Sequence, residues 1–327
     1  MTQIFVAWIS FQRRIVSMEA YFGYEPICIP VLFKQWFLKP LDYFLKTAQT
    51  LTVFLKQKPQ VIWIQQPPSP LLYLAHFYKA CLDRQVKIVA DCHNASLRKP
   101  WNSSPFLIPL LNRCDVVLVH NKSVLEQALD LGILSERLVV LRDRTSTIEC
   151  SNLHLPYTMS RPWILAPCSF SSDEPIEQIF IAARQAPELT FIITGNQARA
   201  AGRHNLTNIP SNLKLMGFLP RAEFDALLCQ ADIVLGLTKL EGIQLSVAGE
   251  AVSVGKPMVL SDTATSRQLF YKGAIYVDPL NPESIAQGCR DALLHQSQFK
   301  HDICELREES DRQWLEQADQ VWHLLKK

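Results

Sequence analysis

Residues 240–262 read LEGIQLSVAGEAVSVGKPMVLSD, and they decide the fold and the site that we expect from this sequence. The stretch follows an apolar run, Ile233–Leu237, that is typical of a buried parallel strand. Ser246 is predicted to cap a short helix, Gly255 to end it, and Met258 to open the next strand. A strand, a loop and a helix N-terminus in this order present free backbone N–H groups and the positive end of the helix dipole, which favours an anion.

Two glutamates flank this predicted anion site. Glu241 lies four residues after the end of the predicted strand, and Glu250 lies about one turn into the predicted helix. A carboxylate accepts hydrogen bonds from hydroxyl groups, so the pair favours a ribose and a sugar over a further phosphate. An ordinary strand, loop and helix of a doubly wound domain, with both glutamates solvated, is the alternative that the residues alone leave open.

The order of these residues resembles the donor-binding segment of glycosyltransferase family 4, the retaining, nucleotide-sugar-dependent enzymes of the GT-B architecture. The match is in register from Glu250 to the Gly-Lys-Pro turn at residues 255–257, and Glu241-Gly242 matches in residue type. Eight residues separate the two glutamates, one more than the family usually has. The resemblance implies an α/β fold of two doubly wound, Rossmann-like domains with an interdomain cleft.

For function, the resemblance implies transfer of a sugar from a nucleoside diphosphate sugar, with retention and without a metal, to a glycan or a lipid-linked acceptor. The nucleotide sugar is then a substrate, and no cofactor is expected. Glu241 is expected to act in catalysis, and Glu250 to bind the ribose. The other donor-binding residues that the resemblance implies are Gly242, Ile243, Gln244, Leu245 and Ser246 of the loop and helix start, Gly195 and Asn196 after a strand, and Phe218 and Leu219 beside the base.

The sequence departs from the family where the donor diphosphate is held. Family members usually place an Arg and, further on, a Lys after the first strand of the second domain, and Ser169 and Glu174 stand at these positions here. The change removes much of the charge that would stabilise a leaving diphosphate. The sequence has no Asp-x-Asp motif, so a metal is not expected to replace the two cations. The candidate replacements are Arg13, Arg14, Arg199, Arg203 and Lys239.

Polar residues in the first half also follow predicted strands, where open α/β sheets bind their ligands. Arg13 and Arg14 come after the first strand and can supply positive charge to a diphosphate, although they also fit a solvated helix start. Asp91 and His93 come after the fourth strand and resemble the acceptor-side Asp or His of the family. A histidine there can bind hydroxyls or carry a proton, while a lone histidine is often structural. His120 follows the fifth strand and matches no family residue.

Length and periodicity predict two domains. The 327 residues are too many for one simple core and suit two α/β domains, which we place at residues 1–155 and 156–327. Short apolar runs alternate with helical patterns, as they do in parallel sheets. Among the strands that these runs predict are Ile27–Leu32, Val116–Val119, Thr190–Thr194 and Ala274–Val277. Residues 150–162 lose this periodicity and are predicted to be the linker. The last helix, Ile303–Leu325, is expected to return to the first domain, as it often does in this architecture.

Charge is distributed unevenly along the chain. Residues 1–150 carry 17 Lys and Arg against 11 Asp and Glu, whereas the remainder carries 16 against 20. The basic first half favours an anionic partner, such as a lipid-linked acceptor or the surface of an anionic membrane. Aromatic residues and lysines, among them Lys34, alternate between Phe33 and Lys58, as in segments that lie at a bilayer interface. A packed surface helix with lysines along its edge fits the same pattern.

Other features disfavour several protein classes. Nine cysteines without a Cys-x-x-Cys pair argue for a reducing, cytoplasmic location and against a disulfide framework or a zinc site. The N-terminus lacks the features of a signal peptide, and no apolar run is long enough to cross a membrane. No basic stripe or known module indicates nucleic-acid binding. Two alternatives to a transferase stay open: a GT-B sugar-nucleotide epimerase, and a degenerate transferase that acts as a binding or scaffolding partner.

Overall fold

The computed structural model describes residues 2–33, 35–146, 148–151, 153–155 and 158–326. The chain divides into two compact units: unit 1 comprises Met1–Arg144 and Arg312–Lys327, and unit 2 comprises Thr145–Asp311. The ranges expected from the sequence, 1–155 and 156–327, place this boundary further along the chain, and they stay a prediction. Lys34 and residues 152, 156 and 157 of the expected linker lie outside the described residues.

Unit 1 contains a parallel six-stranded sheet in the order β2-β1-β3-β4-β5-β6. Strand order reverses between β1 and β3, and the crevice at such a switch point is where open α/β sheets bind ligands. The strands are β1 Gln3–Ala7, β2 Glu25–Cys28, β3 Val61–Gln66, β4 Lys87–Cys92, β5 Val116–Val119 and β6 Leu138–Val140. The helices are α1 Arg13–Phe22, α2 Lys39–Gln57, α3 Ser69–Cys81, α4 Leu107–Leu111 and α5 Lys122–Asp130.

Apolar side chains on both faces of this sheet form its core. β5 is buried along its whole length, as expected for a parallel strand covered by helices on both faces. The long last helix, α12 Gln296–Lys326, contributes its final turns to one of these faces. There Trp314 meets Phe22 with ring centroids 5.9 Å apart, and Phe22 meets Trp63 at 4.6 Å.

Unit 2 contains a second parallel six-stranded sheet, in the order β12-β11-β10-β7-β8-β9. Its switch point lies between β7 and β10, so the loops that follow these two strands border the expected ligand crevice. The strands are β7 Trp163–Pro167, β8 Thr190–Thr194, β9 Leu213–Gly217, β10 Ile233–Gly236, β11 Met258–Ser261 and β12 Ala274–Val277. The helices are α6 Ile176–Gln185, α7 Gln197–Ala201, α8 Arg221–Gln230, α9 Ser246–Ser253, α10 Ala264–Leu269 and α11 Pro282–Leu294.

The periodicity of the sequence located the elements well and their ends less well. The strands predicted at Val116–Val119, Thr190–Thr194 and Ala274–Val277 are observed residue for residue. The second strand was expected at Ile27–Leu32 and is instead Glu25–Cys28, because Pro30 has no N–H to continue the ladder. The short helix α7 was missed, since five residues carry too little periodicity to reveal a helix.

The cysteines correct one expectation. Cys150 and Cys229 form a disulfide within unit 2, with Cα atoms 5.5 Å apart, so the argument against disulfides was wrong for this pair. The two residues are 79 positions apart in sequence, and spacing alone does not reveal a pairing that the fold creates. Among the described residues, no helix combines the length and the apolar character needed to cross a membrane.

Candidate functional site

The loops that follow β7 and β10 are tied together at the switch point of unit 2. Asp173 lies in the first loop, and its carboxylate accepts a hydrogen bond from Oγ1 of Thr238 at 2.8 Å. The carbonyl of Asp173 accepts another from the backbone N–H of Lys239 at 2.8 Å. Thr238 in turn donates its N–H to Oγ of Ser261 at the end of β11, also at 2.8 Å. Three strand ends are therefore fixed around the crevice.

The Glu-Gly loop after β10 is fixed to the start of α10. Both carboxylate oxygens of Glu241 accept a hydrogen bond from the N–H of Ala264, at 3.3 and 3.1 Å. Gly242 has a φ of 73°, in the left-handed region that favours glycine. Ser246 was expected to cap the next helix, and this was wrong. Ser246 is instead the first residue of α9, and Leu245, which precedes it, makes no side-chain cap hydrogen bond.

Close packing of α9 on β10 brings the expected ribose-binding residue to the crevice edge of the sheet. A Cβ atom added at Gly236 would lie 2.9 Å from a methyl group of Val247, so the helix start can approach this strand only over a glycine. Glu250 lies on α9 and is half-buried. The expected donor-binding residues Ile243, Gln244 and Leu245 are half-buried on the loop that leads into the helix.

Glu174 occupies the loop where the family resemblance would place the diphosphate. Its carboxylate accepts hydrogen bonds from the N–H of Ser169 at 3.0 Å, from the hydroxyl of Ser169 at 2.9 Å and from the N–H of Ser171 at 3.2 Å. Backbone N–H groups that converge in this way form an anion-binding concavity. The loop therefore keeps the form of an anion site, and a carboxylate of the protein itself is the anion.

Two of the candidate replacement cations lie beside this loop. Nη2 of Arg199 donates to Oγ of Ser171 at 3.2 Å, and Nη1 of Arg203 donates to the carbonyl of Phe170 at 3.5 Å. Arg199 belongs to α7, which follows β8, the sheet neighbour of β7. Both arginines are exposed, so their charge faces solvent next to the switch point.

The remaining donor-side residues lie along the same edge of the sheet. Gly195 has a φ of 135°, and a Cβ there would lie 2.0 Å from the carbonyl oxygen of Cys168, so no larger residue fits. Asn196 caps α7 through a hydrogen bond from the N–H of Arg199 at 3.2 Å. Phe218 follows β9 and is 85% exposed, and Leu219 is next to it. An exposed aromatic ring at a strand end is suited to packing against a nucleotide base.

In unit 1, Arg14 is locked in a buried ion-pair network. Its guanidinium donates to Asp91 through Nε at 3.0 Å and Nη2 at 3.0 Å, to Asp143 at 2.8 Å and to the carbonyl of Leu141 at 2.9 Å. The side chain is 3% exposed. The expectation that Arg14 touches a diphosphate is therefore wrong, because its donors are spent inside the fold. Arg13 is half-buried at the start of α1, and its expected role stays a prediction.

Charge balance in this network keeps Asp91 ionised. Burial raises the pKa of Asp91, but the positive charge of Arg14 outweighs that effect, and the pKa lies well below its ordinary value. Burial likewise raises the pKa of Asp143, and Arg14 again lowers it on balance. The two carboxylates in turn overcome the effect of burial on Arg14 and raise its pKa. Arg14 is thus a residue that positions Asp91 at the carboxyl end of β4.

Two histidines lie beside Asp91. The rings of His93 and His120 meet edge to face with centroids 4.4 Å apart, and Nε2 of His120 lies 3.4 Å from Oδ1 of Asp91. Burial lowers the pKa of His93 to about 3, and the nearby His120 adds to the effect. His93 is therefore neutral near pH 7. The amide nitrogen of Gln12 approaches Nε2 of His93 at 2.9 Å, so this ring nitrogen is the acceptor.

Asp91, His93 and His120 are also close enough to be considered as metal ligands. One ligand atom of each lies within 4.8 Å of the others. Arg14, however, donates to both oxygens of Asp91, so a divalent cation would lie next to a buried guanidinium. Repulsion between two cations at such a distance disfavours that arrangement. The cluster is better suited to hydrogen-bond the hydroxyl groups of a sugar.

A cavity of about 430 Å³ lies at the switch point of unit 1. Its apolar lining comes from the loops that follow β1, β2 and β3, and Ser10 and Gln65 add polar groups. Gln65 is paired in the sheet with Asp91, so the cavity borders the histidine cluster along the strand ends. The apolar residues of the lining are Trp8, Ile9, Pro30, Val31 and Pro67.

Within each unit, the expected site residues gather at the carboxyl edge of the sheet. Asp91, His93 and Arg14 do so in unit 1, and the expected donor-binding residues do so in unit 2. Sequence reasoning missed Asp173 as a tie between two loops and Gln12 as the partner of His93. Both follow predicted strands, so the rule that ligands bind at strand ends would have selected them.

Comparison with known proteins identifies the architecture. Residues 175–295 match the family model described as Glycosyl transferases group 1, a stretch that includes the Glu-Gly loop, α9 and β11. No curated protein matches the chain by sequence. The resemblance that the sequence suggested, to GT-B glycosyltransferases like those of family 4, is confirmed by this match and by similar solved structures.

Three of those structures resemble nearly the whole chain. Alr3699/HepE of Anabaena, in complex with UDP and glucose, superposes with a TM-score of 0.73 at 12% identity, over 100% of this chain and 99% of that one. Sucrose-phosphate synthase (tll1590) from Thermosynechococcus elongatus has a TM-score of 0.73 at 12% identity, over 100% and 98%. S. aureus MnaA with UDP has a TM-score of 0.60 at 15% identity, over 100% and 98%. The α/β, GT-B fold of two Rossmann-like domains is thereby confirmed.

Proposed function

We propose that this GT-B protein is a glycosyltransferase that takes a sugar from a nucleoside diphosphate sugar and transfers it, with retention and without a metal, to a glycan or lipid-linked acceptor. The observation that carries the proposal is the placement of residues 240–262. Their loop, helix and strand lie at the switch point of unit 2, inside the stretch that matches Glycosyl transferases group 1. A cytoplasmic location stays a prediction from the sequence.

The donor-side roles follow from position. Glu250, half-buried on α9, accepts hydrogen bonds from the ribose hydroxyls. The first N–H groups of α9 and the positive end of its dipole hold phosphate oxygens. Phe218 packs on the base. UDP is the nucleotide to try first, because the HepE and MnaA structures are described with UDP.

The proposed transfer is direct and needs no protein nucleophile. The bond between the anomeric carbon and the diphosphate oxygen breaks, a bond from that carbon to the acceptor oxygen forms on the same face, and the hydroxyl proton passes to the departing diphosphate. Neutral His93, whose proton location is set by Gln12, binds an acceptor hydroxyl. Glu241 holds the loop after β10 against α10 and so positions the donor sugar.

Calorimetric titration with UDP tests this assignment. Glu250→Gln keeps the size of the side chain and removes its charge, so UDP should bind about 10- to 100-fold more weakly, as expected for a lost charged hydrogen bond. Glu283→Gln, an exposed glutamate at the start of α11, is the matched control and should bind like the parent. A parent protein that binds no nucleotide, or a Glu250 variant with unchanged affinity, would contradict the proposal.

A binding protein without transferase activity is the second candidate. The observation in its favour is Glu174, which places a carboxylate in the loop where the resemblance would place cations. Both candidates predict nucleotide binding, so turnover separates them. Release of UDP from a UDP-sugar, followed by coupled assay with a panel of acceptors, supports the transferase, and saturable binding without any release supports the binding protein.

A further inference from the structure

The cavity of unit 1 lies beside an exposed apolar surface. We call this surface the apolar platform and define it as Val31, Leu32, Trp36, Phe37, Leu41 and Phe44. Its aromatic side chains are unusually open to solvent: Trp36 is 79% exposed, Phe44 68% and Phe37 62%. Large apolar side chains that cluster on the surface mark a site of interaction with another apolar body.

The platform is part of the fold of unit 1. Asp42, near the start of α2, accepts hydrogen bonds from the N–H groups of Leu32 at 2.7 Å and Phe33 at 3.3 Å. Lys46 pairs with Asp42 at 2.9 Å, and both side chains are buried. These contacts fasten the segment to α2, so the exposed side chains belong to a fixed surface.

Apolar surface continues from the cavity to the platform. Val31 lines the cavity and is also 58% exposed on the platform. Trp8, another lining residue, is anchored to α2: its Nε1 donates to Oγ1 of Thr50 at 3.0 Å, and its ring stacks on Tyr43 with centroids 5.7 Å apart. The helix that carries the outer aromatic residues therefore also supports the cavity wall.

The charge around the platform suits an anionic bilayer. Residues 31–60 contain five lysines and one acidic residue. Among the described lysines, Lys39 is exposed at the start of α2 beside the platform, and Asp42, the one acidic residue, is neutralised by Lys46. Lys56 and Lys58 are exposed at the other end of the helix, roughly 18 Å or more from Phe44. Aromatic side chains flanked by lysines are the composition of segments that lie in the interface of anionic membranes. Protein interfaces, in contrast, are depleted in lysine, so a bilayer explains this surface better than a protein partner does.

We propose that the acceptor is an amphiphile that sits in a membrane, and that the platform rests on that membrane. The polar end of the acceptor enters the cavity, where Ser10 and Gln65 bind it, and its apolar part leaves past Val31. Oε1 of Gln65 is buried and has no hydrogen-bond partner among the described residues, as expected of a group that binds a ligand. This inference rests on the proposed transferase function and narrows the acceptor to lipid-linked molecules.

Sedimentation with vesicles tests the platform. The parent should bind vesicles of phosphatidylcholine and phosphatidylglycerol. The double variant Trp36→Gln with Phe44→Gln should partition about a hundredfold less, since each of the two rings that leaves water contributes on the order of a factor of ten. Leu294→Gln is the matched control, because Leu294 is 79% exposed on unit 2, and it should bind like the parent.

Two results would contradict the proposal that the apolar platform rests on a membrane. Equal vesicle binding by parent and double variant would show that these rings do not contact lipid, and a parent that ignores anionic vesicles at low salt would show that the surface has another role. Size-exclusion chromatography addresses that role: a parent dimer that the double variant dissociates would replace the bilayer with a second copy of the chain.

Thermal shift with n-octyl glucoside below its micelle concentration tests the cavity, with methyl glucoside as the polar control. The octyl compound should stabilise the parent, the methyl compound should do so far less, and Val31→Asp should remove the difference. UDP binding in the same samples separates the two levels of inference. If the parent binds UDP normally but octyl glucoside does not stabilise it, the proposal of an amphiphilic acceptor is wrong and the proposed transferase function stands. If the parent binds neither UDP nor octyl glucoside, the proposed transferase function is wrong as well.

Discussion

Replacing Arg199 with alanine should weaken the binding of nucleoside diphosphates and leave nucleosides unaffected. The guanidinium donates to Ser171, in a loop whose N–H groups already converge on the carboxylate of Glu174. A diphosphate at this switch point would meet that carboxylate, and Arg199 is a cation in the same unit that can balance it. The measurement therefore tests whether Arg199 on α7 supplies the positive charge that family members obtain from an Arg and a Lys at the positions of Ser169 and Glu174.

The distance between the guanidinium of Arg199 and a bound phosphate determines how much binding free energy the substitution should remove. Nη2 of Arg199 lies 3.2 Å from Oγ of Ser171. A phosphate bound at the loop would be roughly 4 Å from the guanidinium, where two unit charges interact by about 1 kcal/mol in water and about 4 kcal/mol near a protein surface. Because Arg199 is exposed, we expect a loss of about 1–2 kcal/mol, or about five- to thirtyfold in Kd.

Calorimetry with UDP, UMP and uridine is the assay. The loss in Arg199→Ala should be largest for UDP, smaller for UMP and absent for uridine, and it should shrink in high salt. Arg184→Ala is the matched control, because Arg184 is an exposed arginine on α6 of the same unit. Equal weakening of UDP and uridine, or no weakening at all, would refute the electrostatic reasoning.

Two further predictions concern the network and cluster of unit 1. Arg14→Met should lower the free energy of unfolding by about 3–5 kcal/mol in urea titrations, because it leaves the buried carboxylate of Asp91 unpaired, and adding Asp91→Leu should recover much of the loss. Since the pKa of His93 falls from 6.5 to about 3 on folding, its contribution to stability is complete above pH 6.5 and is lost as the pH falls toward 3. His93→Gln should therefore reduce the loss of stability between pH 7 and pH 5, and His301→Gln, exposed on α12, should not.

The sequence predicted most of the fold because its signals are local. Continuous apolar runs such as Val116–Val119 mark buried parallel strands, and their alternation with helical patterns marks the doubly wound order. The predictions that failed, about the cysteines and the cap of α9, depended on the three-dimensional structure. The disulfide between Cys150 and Cys229 joins residues far apart in the chain, and Ser246 missed its capping role because the backbone reaches helical geometry one residue early.

The sequence predicted where the candidate site residues lie better than it predicted what each of them does. Asp91, His93 and Arg14 were selected because they follow predicted strands. The structure places Asp91 near the end of β4, His93 directly after it, and Arg14 at the start of α1. Which of them faces a ligand depends on partners contributed by other strands. Arg14 is enclosed by Asp91 and by Asp143, and no local pattern near residue 14 announces a carboxylate so distant in sequence.

Glu174 is the residue on which the choice between transferase and binding protein depends. Its carboxylate accepts three hydrogen bonds from Ser169 and Ser171, so it is an internal anion held in an anion site. Glu174→Gln keeps one oxygen, which can accept the two hydrogen bonds from Ser169, but it loses the bond from the N–H of Ser171 and removes the charge. The loop should therefore keep most of its contacts while its repulsion of a diphosphate disappears. If a diphosphate binds at this loop, the variant should bind UDP more tightly, and Arg199→Ala should weaken it. If UDP instead binds at the start of α9 alone, neither change should matter, and turnover would have to rely on helix amides without a cation from α7.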